Sequence, residues 1–201
     1  MNLQRYLQDQ IRDSIQTKNK ILADTGLLAM VERVTQLCID TYRRGGKVIL
    51  AGNGGSAADA QHIAAEFVSR FNFDRPGLPS IALSTDTSML TAIANDYGYE
   101  HVFSRQVQAN GKSGDVFIGI STSGRSKNIL AAVAECKKMN IATVGLTGGN
   151  GGDLKTCDYC IMVPSDQTPR IQESHILIGH VICAAVEQAL FGETQARNTA
   201  S

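Results

Sequence analysis

The sequence has no surplus of charge of either sign: its 201 residues carry 19 Lys and Arg against 19 Asp and Glu. A chain so balanced has no global field to recruit nucleic acid or a membrane surface, so an anionic ligand must be held by local chemistry. It also lacks an apolar N-terminal run. The opening stretch MNLQRYLQDQIRD is polar and amphipathic, with neither a secretory signal core nor a membrane span. It lacks an even cysteine count. Cys38, Cys136, Cys157, Cys160 and Cys183 are five, mostly set in apolar periodic stretches, which argues against a disulfide framework and for the cytoplasm. Cys157-x-x-Cys160 has no second Cys or His pair at zinc-finger spacing and leads into an apolar run, so core packing is expected of it. No internal repeat is evident, and no G-x-x-x-x-G-K-[ST], H-E-x-x-H or nucleophile-elbow serine occurs.

What is present alternates. Leu3, Tyr6, Leu7, Ile11 and Ile15 recur at helical spacing, and so do Leu27, Leu28, Val31, Val34, Leu37 and Cys38, up to a stop at Gly45-Gly46. Residues 1–44 therefore read as a helical pair that needs a surface to pack on, in part another subunit. From Lys47 onward, short apolar runs begin at Val48, Ser80, Val116, Ala142 and Cys160. Helical stretches are predicted over 56–70, 87–109, 126–139 and 168–191, with a short one near 152–157. Strands alternating with helices, and apolar without polar alternation, predict right-handed βαβ units and a parallel sheet buried on both faces. Past Gly192 the small, polar ETQARNTAS is expected to be a disordered tail, 193–201.

Ligands bind an open doubly wound sheet at the carboxyl ends of its strands. Here those ends are rich in Gly, Ser and Thr. In Ser121-Thr122-Ser123-Gly124-Arg125-Ser126, four hydroxyls and a glycine precede a helix, whose first amides and partial positive charge suit a phosphate. A plain N-cap needs only one hydroxyl. Gly52-x-Gly54-x-x-Ala57 nominally fits a dinucleotide fingerprint, but the acidic residue that should follow about 20 positions on is absent. On the next helix His62 and Glu66 share a face, as a metal-chelating pair or a base with its partner would. The last helix carries Gln172, His175 and His180. Gln172 and His180 lie eight residues apart, about 12 Å along a helix. They could serve one site only by long side-chain reach or from different subunits.

With GNGGSAADAQHIAAEF, NDYG, GISTSGRS, LTGGNGG and TPRIQESHILIGH in that order, the chain resembles the sedoheptulose-7-phosphate isomerases of the wider sugar isomerase (SIS) domain family. The resemblance spans residues 45–192. It implies an α/β fold, a five-stranded parallel sheet flanked by helices as a flavodoxin-like three-layer sandwich, and a homotetramer with active sites between subunits. It implies the conversion of D-sedoheptulose 7-phosphate to D-glycero-D-manno-heptose 7-phosphate through an enediol, the first step towards nucleotide-activated heptose. Neither nucleic acid nor membrane is expected as a partner.

Carried over position by position, the resemblance places substrate contacts on Asn53, Gly54, Gly55, Glu66, Asn95, Asp96, Ser121, Thr122, Ser123, Ser126 and Gln172. It places one Zn²⁺ per subunit on His62, Glu66, Gln172 and His180, with Glu66 and His180 as the acid/base pair. Two positions depart from the family pattern. Arg125 replaces the usual Asn and adds a cation beside the hydroxyl loop, and Pro169 replaces an Asp found in several relatives. The competing readings are a noncatalytic SIS protein, either a sugar-phosphate sensor or a replication-initiator-binding tetramer, and an isomerase of another sugar phosphate. Replication-initiator-binding relatives lack the glutamate and histidine at the positions of Glu66 and His180. Both are retained here.

Overall fold

In the computed structural model, which describes residues 1–199, the chain opens with two helices sharing one capping residue. Helix α1 (Leu3–Ala23) is started by Asn2, whose side chain accepts from the Arg5 amide. Asp24 ends α1 and starts α2 (Thr25–Arg43), accepting from the Leu27 amide at 2.9 Å. One face of α2, with Val31, Val34, Cys38, Ile39 and Tyr42, is buried. At about 1.5–3 kcal/mol for each large apolar side chain, that burial outweighs the tenths of a kcal/mol of helix propensity and holds α2 to the sheet. On α1, by contrast, Leu3, Tyr6, Leu7, Ile11 and Ile15 are exposed along the stripe that the sequence marked as apolar.

Five strands follow, β1 (Val48–Gly52), β2 (Ser80–Ala82), β3 (Val116–Ser121), β4 (Ala142–Thr147) and β5 (Tyr159–Met162), each within two residues of its predicted position. They pair in parallel throughout, in the order β2-β1-β3-β4-β5. All residues of β1 and β3 are buried, as a sheet covered on both faces requires. Helix α3 (Gly55–Val68) joins β1 to β2 and shares a core with α2 and with the last helix, α7 (Thr168–Thr199). Helices α5 (Ser104–Asn110) and α6 (Lys127–Lys138) fill the other face. The chain thus winds outward in both directions from the seam between β1 and β3.

Three predicted elements change. The helix expected over 87–109 is broken into α4 (Thr87–Tyr97), a 3-10 turn (Tyr99–His101) and α5, because Gly98 takes φ +89, which a helix cannot continue through. The stretch near 152–157 forms a 3-10 turn, Gly152–Thr156. The tail expected to be disordered continues α7 as far as Thr199, since ETQARNT contains neither glycine nor proline to stop it; residues 200–201 lie outside the described residues. By length and a mean hydropathy of 1.4, Thr168–Glu193 would suit a membrane span, but Ile171, Ile178, Ile182, Cys183 and Val186 pack into the core.

Candidate active site

The seam between β1 and β3 is where neighbouring crossovers leave in opposite directions, and such a seam opens a crevice at the strand ends. A cavity of about 560 Å³ lies there, lined by Asn53, Gly98, Tyr99, Glu100, Ser126, Lys127 and Asn128. Asn53, just past β1, and buried Asn128, in the first turn of α6, join their carboxamides by two reciprocal bonds of 3.0 and 2.8 Å. The Tyr99 hydroxyl donates to Asn53 Oδ1 at 3.1 Å. Asn128 Oδ1 also accepts from the Ile129 amide. Asn53 is therefore held in one orientation with one amide hydrogen left for a ligand.

Ser126 begins α6 but makes no capping bond; its hydroxyl meets Ser121 Oγ at 2.9 Å. A capping serine would turn back onto the helix amides, whereas this one faces the end of β3. Gly124 takes φ +66, and a Cβ there would stand 2.1 Å from the Gly151 carbonyl oxygen, so the loop lies flat on its neighbour. The Asp153 and Leu154 amides both donate to the Gly124 carbonyl. The hydroxyl loop also separates two cavities. Ser126 faces the seam, whereas Thr122 and Ser123 line a second cavity of about 570 Å³ with Lys20, Arg125 and Arg170. Arg125 is thus beside the loop, as expected, but on the side away from the seam.

Helices α3 and α7 run side by side in the same direction, and two glycines let them approach. A Cβ at Gly55 would stand 2.4 Å from Gln172 Nε2, and one at Gly179 would stand 2.6 Å from Ile63 Cδ1. The result, about two turns into α3 and more than three into α7, is a meeting of side chains from distant parts of the chain. His62 Nε2 lies 2.8 Å from His180 Nε2 and 3.2 Å from Glu66 Oε1. Two ring nitrogens facing each other so closely cannot both carry a proton: one donates to the other, or both lone pairs face a shared cation. One donor atom from each of these residues lies within 4.8 Å of the others, and His₂Glu is a donor set used by catalytic zinc sites, so these residues fit a zinc ion. Phe71 tilts against the His180 ring with centroids 5.5 Å apart.

The remaining expected residues are distributed as follows. Gly54, with φ +55, and Gly55 form the turn into α3. Gln172 packs on Gly55, and about two helical turns separate it from His180 along α7. Asn95 and Asp96 sit on the exposed end of α4, where Asn95 Nδ2 donates to Asp96 Oδ1 at 2.8 Å, and none of the site's hydrogen bonds described above reaches them. His175 is fully buried on another face of α7 and donates from Nε2 to the Thr147 carbonyl across 3.2 Å; burial pushes its pKa down to about 4. Cys157 is a free thiol in the core, its pKa pushed up to about 12 by burial, which fits core packing. Asn128, Tyr99, Lys127 and Phe71 were not anticipated. Tyr99 directly follows the quoted NDYG segment and Asn128 lies two residues past the hydroxyl loop, so proximity to a motif was the one available signal; Phe71 had none.

A family model described as "SIS domain" matches residues 9–148. The phosphoheptose isomerase of Aneurinibacillus thermoaerophilus is 65% identical over 187 residues, covering 92% of this chain and 94% of that protein. Phosphoheptose isomerase 2 of Campylobacter jejuni is 62% identical, covering 96% of each. Among solved structures, the phosphoheptose isomerase of Neisseria gonorrhoeae superposes with a TM-score of 0.87 at 40% identity, over 93% of this chain and 100% of that one.

Proposed function

This chain belongs to the SIS domain family, and from that premise we propose that it is a phosphoheptose isomerase whose site interconverts D-sedoheptulose 7-phosphate and D-glycero-D-manno-heptose 7-phosphate. The observation that carries the catalytic assignment is the convergence of His62, Glu66 and His180 from α3 and α7. The reaction removes a proton from C1 of the ketose, passes through an enediol, and returns a proton to C2 while the carbonyl moves from C2 to C1. It needs one group to hold the carbon-bound proton and another to move protons between the two oxygens. Glu66, a half-buried carboxylate, and His180 divide those duties.

A zinc ion held by His62, Glu66 and His180 would polarise the sugar carbonyl. Gln172, packed on Gly55, serves the sugar chain or completes the donor set of that metal. The phosphate belongs at the start of α6, where Ser121 and Ser126 bond to each other and Asn53 keeps one amide hydrogen free. The exposed apolar stripe of α1, and an α4 without a single buried side chain, support a homotetramer in which Asn95 and Asp96 complete a neighbour's site. Five free thiols suit the cytoplasm. The product is an aldose phosphate for nucleotide-activated heptose synthesis.

Glu66→Gln and His180→Gln, assayed by NMR for aldose formation from a panel of ketose phosphates, test the assignment. Turnover should fall at least about 10²-fold in each. Near wild-type rates in both would remove the assignment, and faster conversion of a five- or six-carbon ketose phosphate would change the substrate.

A further inference from the structure

We infer that Arg75 and Glu187 are positioning residues that hold Glu66 and His180 in register, an inference that rests on the catalytic assignment above. Glu66 and His180 sit on separate helices and share no direct bond; their spacing depends on how α3 and α7 lie along one another. Gly55 and Gly179 set how closely the helices approach, but two small-residue contacts leave sliding along the common axis open. Just past the cluster, the connection leaving α3 closes that freedom.

The Glu187 carboxylate, wholly buried and two turns beyond His180 on α7, receives three donors from this connection. The Phe71 amide donates at 2.8 Å, the Asn72 amide at 2.6 Å and Arg75 Nε at 3.1 Å. Burial opposes the charge, but the two amides and the guanidinium outweigh it and hold the Glu187 carboxyl below its usual pKa. The Arg75 fork then turns back to α3. Nη2 donates to the Glu66 carbonyl at 2.8 Å, and Nη1 donates to the Phe67 and Pro76 carbonyls at 2.7 and 3.0 Å. The guanidinium also lies over the Phe191 ring, 5.8 Å from its centroid, on the same face of α7 as Glu187. The arginine side chain is 2% exposed and the glutamate side chain 0%.

This arrangement does more than stabilise a loop. Arg75 grips the backbone of Glu66 itself, and the amide that Glu187 fixes belongs to Phe71, whose ring abuts His180. One buried ion pair therefore touches the supports of both acid/base groups. Lysine cannot replace the arginine, because a point charge cannot meet a carboxylate and three carbonyls in one plane.

The test uses the full-length protein with Arg75→Lys, Glu187→Gln and Phe71→Leu, each compared with wild type for kcat and KM and for the histidine ring ¹⁵N spectrum. Phe71→Leu leaves the ion pair intact and stands in if either charge variant fails to fold, which circular dichroism reports. Expected is a fall in kcat of about 10–100-fold with KM within about threefold, as displacement of reacting groups by about 1 Å produces, together with moved His180 ring resonances. Folded variants with wild-type kcat and unmoved His180 resonances would overturn the inference. Glu66→Gln and His180→Gln run alongside: if they too retain turnover, the catalytic assignment has failed, whereas if they alone lose it, the positioning role has failed.

Discussion

Replacing His175 should flatten the acid side of the stability profile. His175 is wholly buried, with Nε2 at the Thr147 carbonyl and Nδ1 without a partner. Burial disfavours the imidazolium and lowers the pKa to about 4, against about 6.5 in an unfolded chain. Between those values the unfolded chain binds more protons than the folded one. The contribution is therefore complete above pH 6.5 and is lost as pH falls towards 4. From pH 8 to pH 5 the loss amounts to about 2 kcal/mol. Asp59 works against it: burial raises its pKa to about 6 from 3.8, so it favours the folded state at low pH and that share is lost as pH rises through 6. The quantity to compare is thus the difference between variant and wild type. His175→Leu is suited to this because Thr147 O still accepts from the Val163 amide at 2.9 Å, and the unpartnered Nδ1 disappears. Urea unfolding at pH 5, 6.5 and 8, at fixed protein concentration, should show the variant losing about 2 kcal/mol less than wild type on acidification. Parallel profiles, within about 0.5 kcal/mol, would refute the claim that His175 is held neutral by burial.

Ser126→Ala should raise KM for the sugar phosphate about tenfold with little change in kcat, since it deletes one hydroxyl bond to a charged ligand and no acid/base group; steady-state kinetics decides. Gly124→Ala should destabilise by about 2 kcal/mol or more, through a left-handed φ and a carbonyl 2.1 Å from the new methyl, read as a drop in the urea midpoint. Arg125→Asn should change KM less than about threefold, because the exposed guanidinium lines the cavity away from the seam. Treatment with a chelator should abolish turnover and zinc should restore it; full activity in metal-depleted protein, verified by elemental analysis, would remove the metal from the proposal.

The sheet was legible because its strands are unbroken apolar runs punctuated by Gly and Ser, and period and punctuation are local properties. The His62–Glu66 pair was legible for the same reason, being one helical turn apart. His180 was reached only through the family resemblance, because its role depends on α3 and α7 lying in parallel register, which no spacing within α7 encodes. The same holds for Arg75 and Glu187, 112 residues apart and tied by a buried bond. Gln172 shows the converse: eight residues of helix separate it from His180, and spacing along one helix leaves open whether its long side chain reaches the same site. The long helix expected over 87–109 failed because its periodicity runs on through Gly98 while the backbone does not.

The pairing of α3 with α7 also orders the life of the chain during synthesis. Glu66 emerges early and His180 more than a hundred residues later, after every strand of the sheet. Contacts of such sequence separation are costly to close and form late. A nascent chain that has not reached Thr168 can complete its strands and its hydroxyl loop, yet it holds half of a proton-transfer pair. Competence therefore arrives with the last helix, and a ribosome-bound or C-terminally truncated product would be inert towards its sugar even where it is folded.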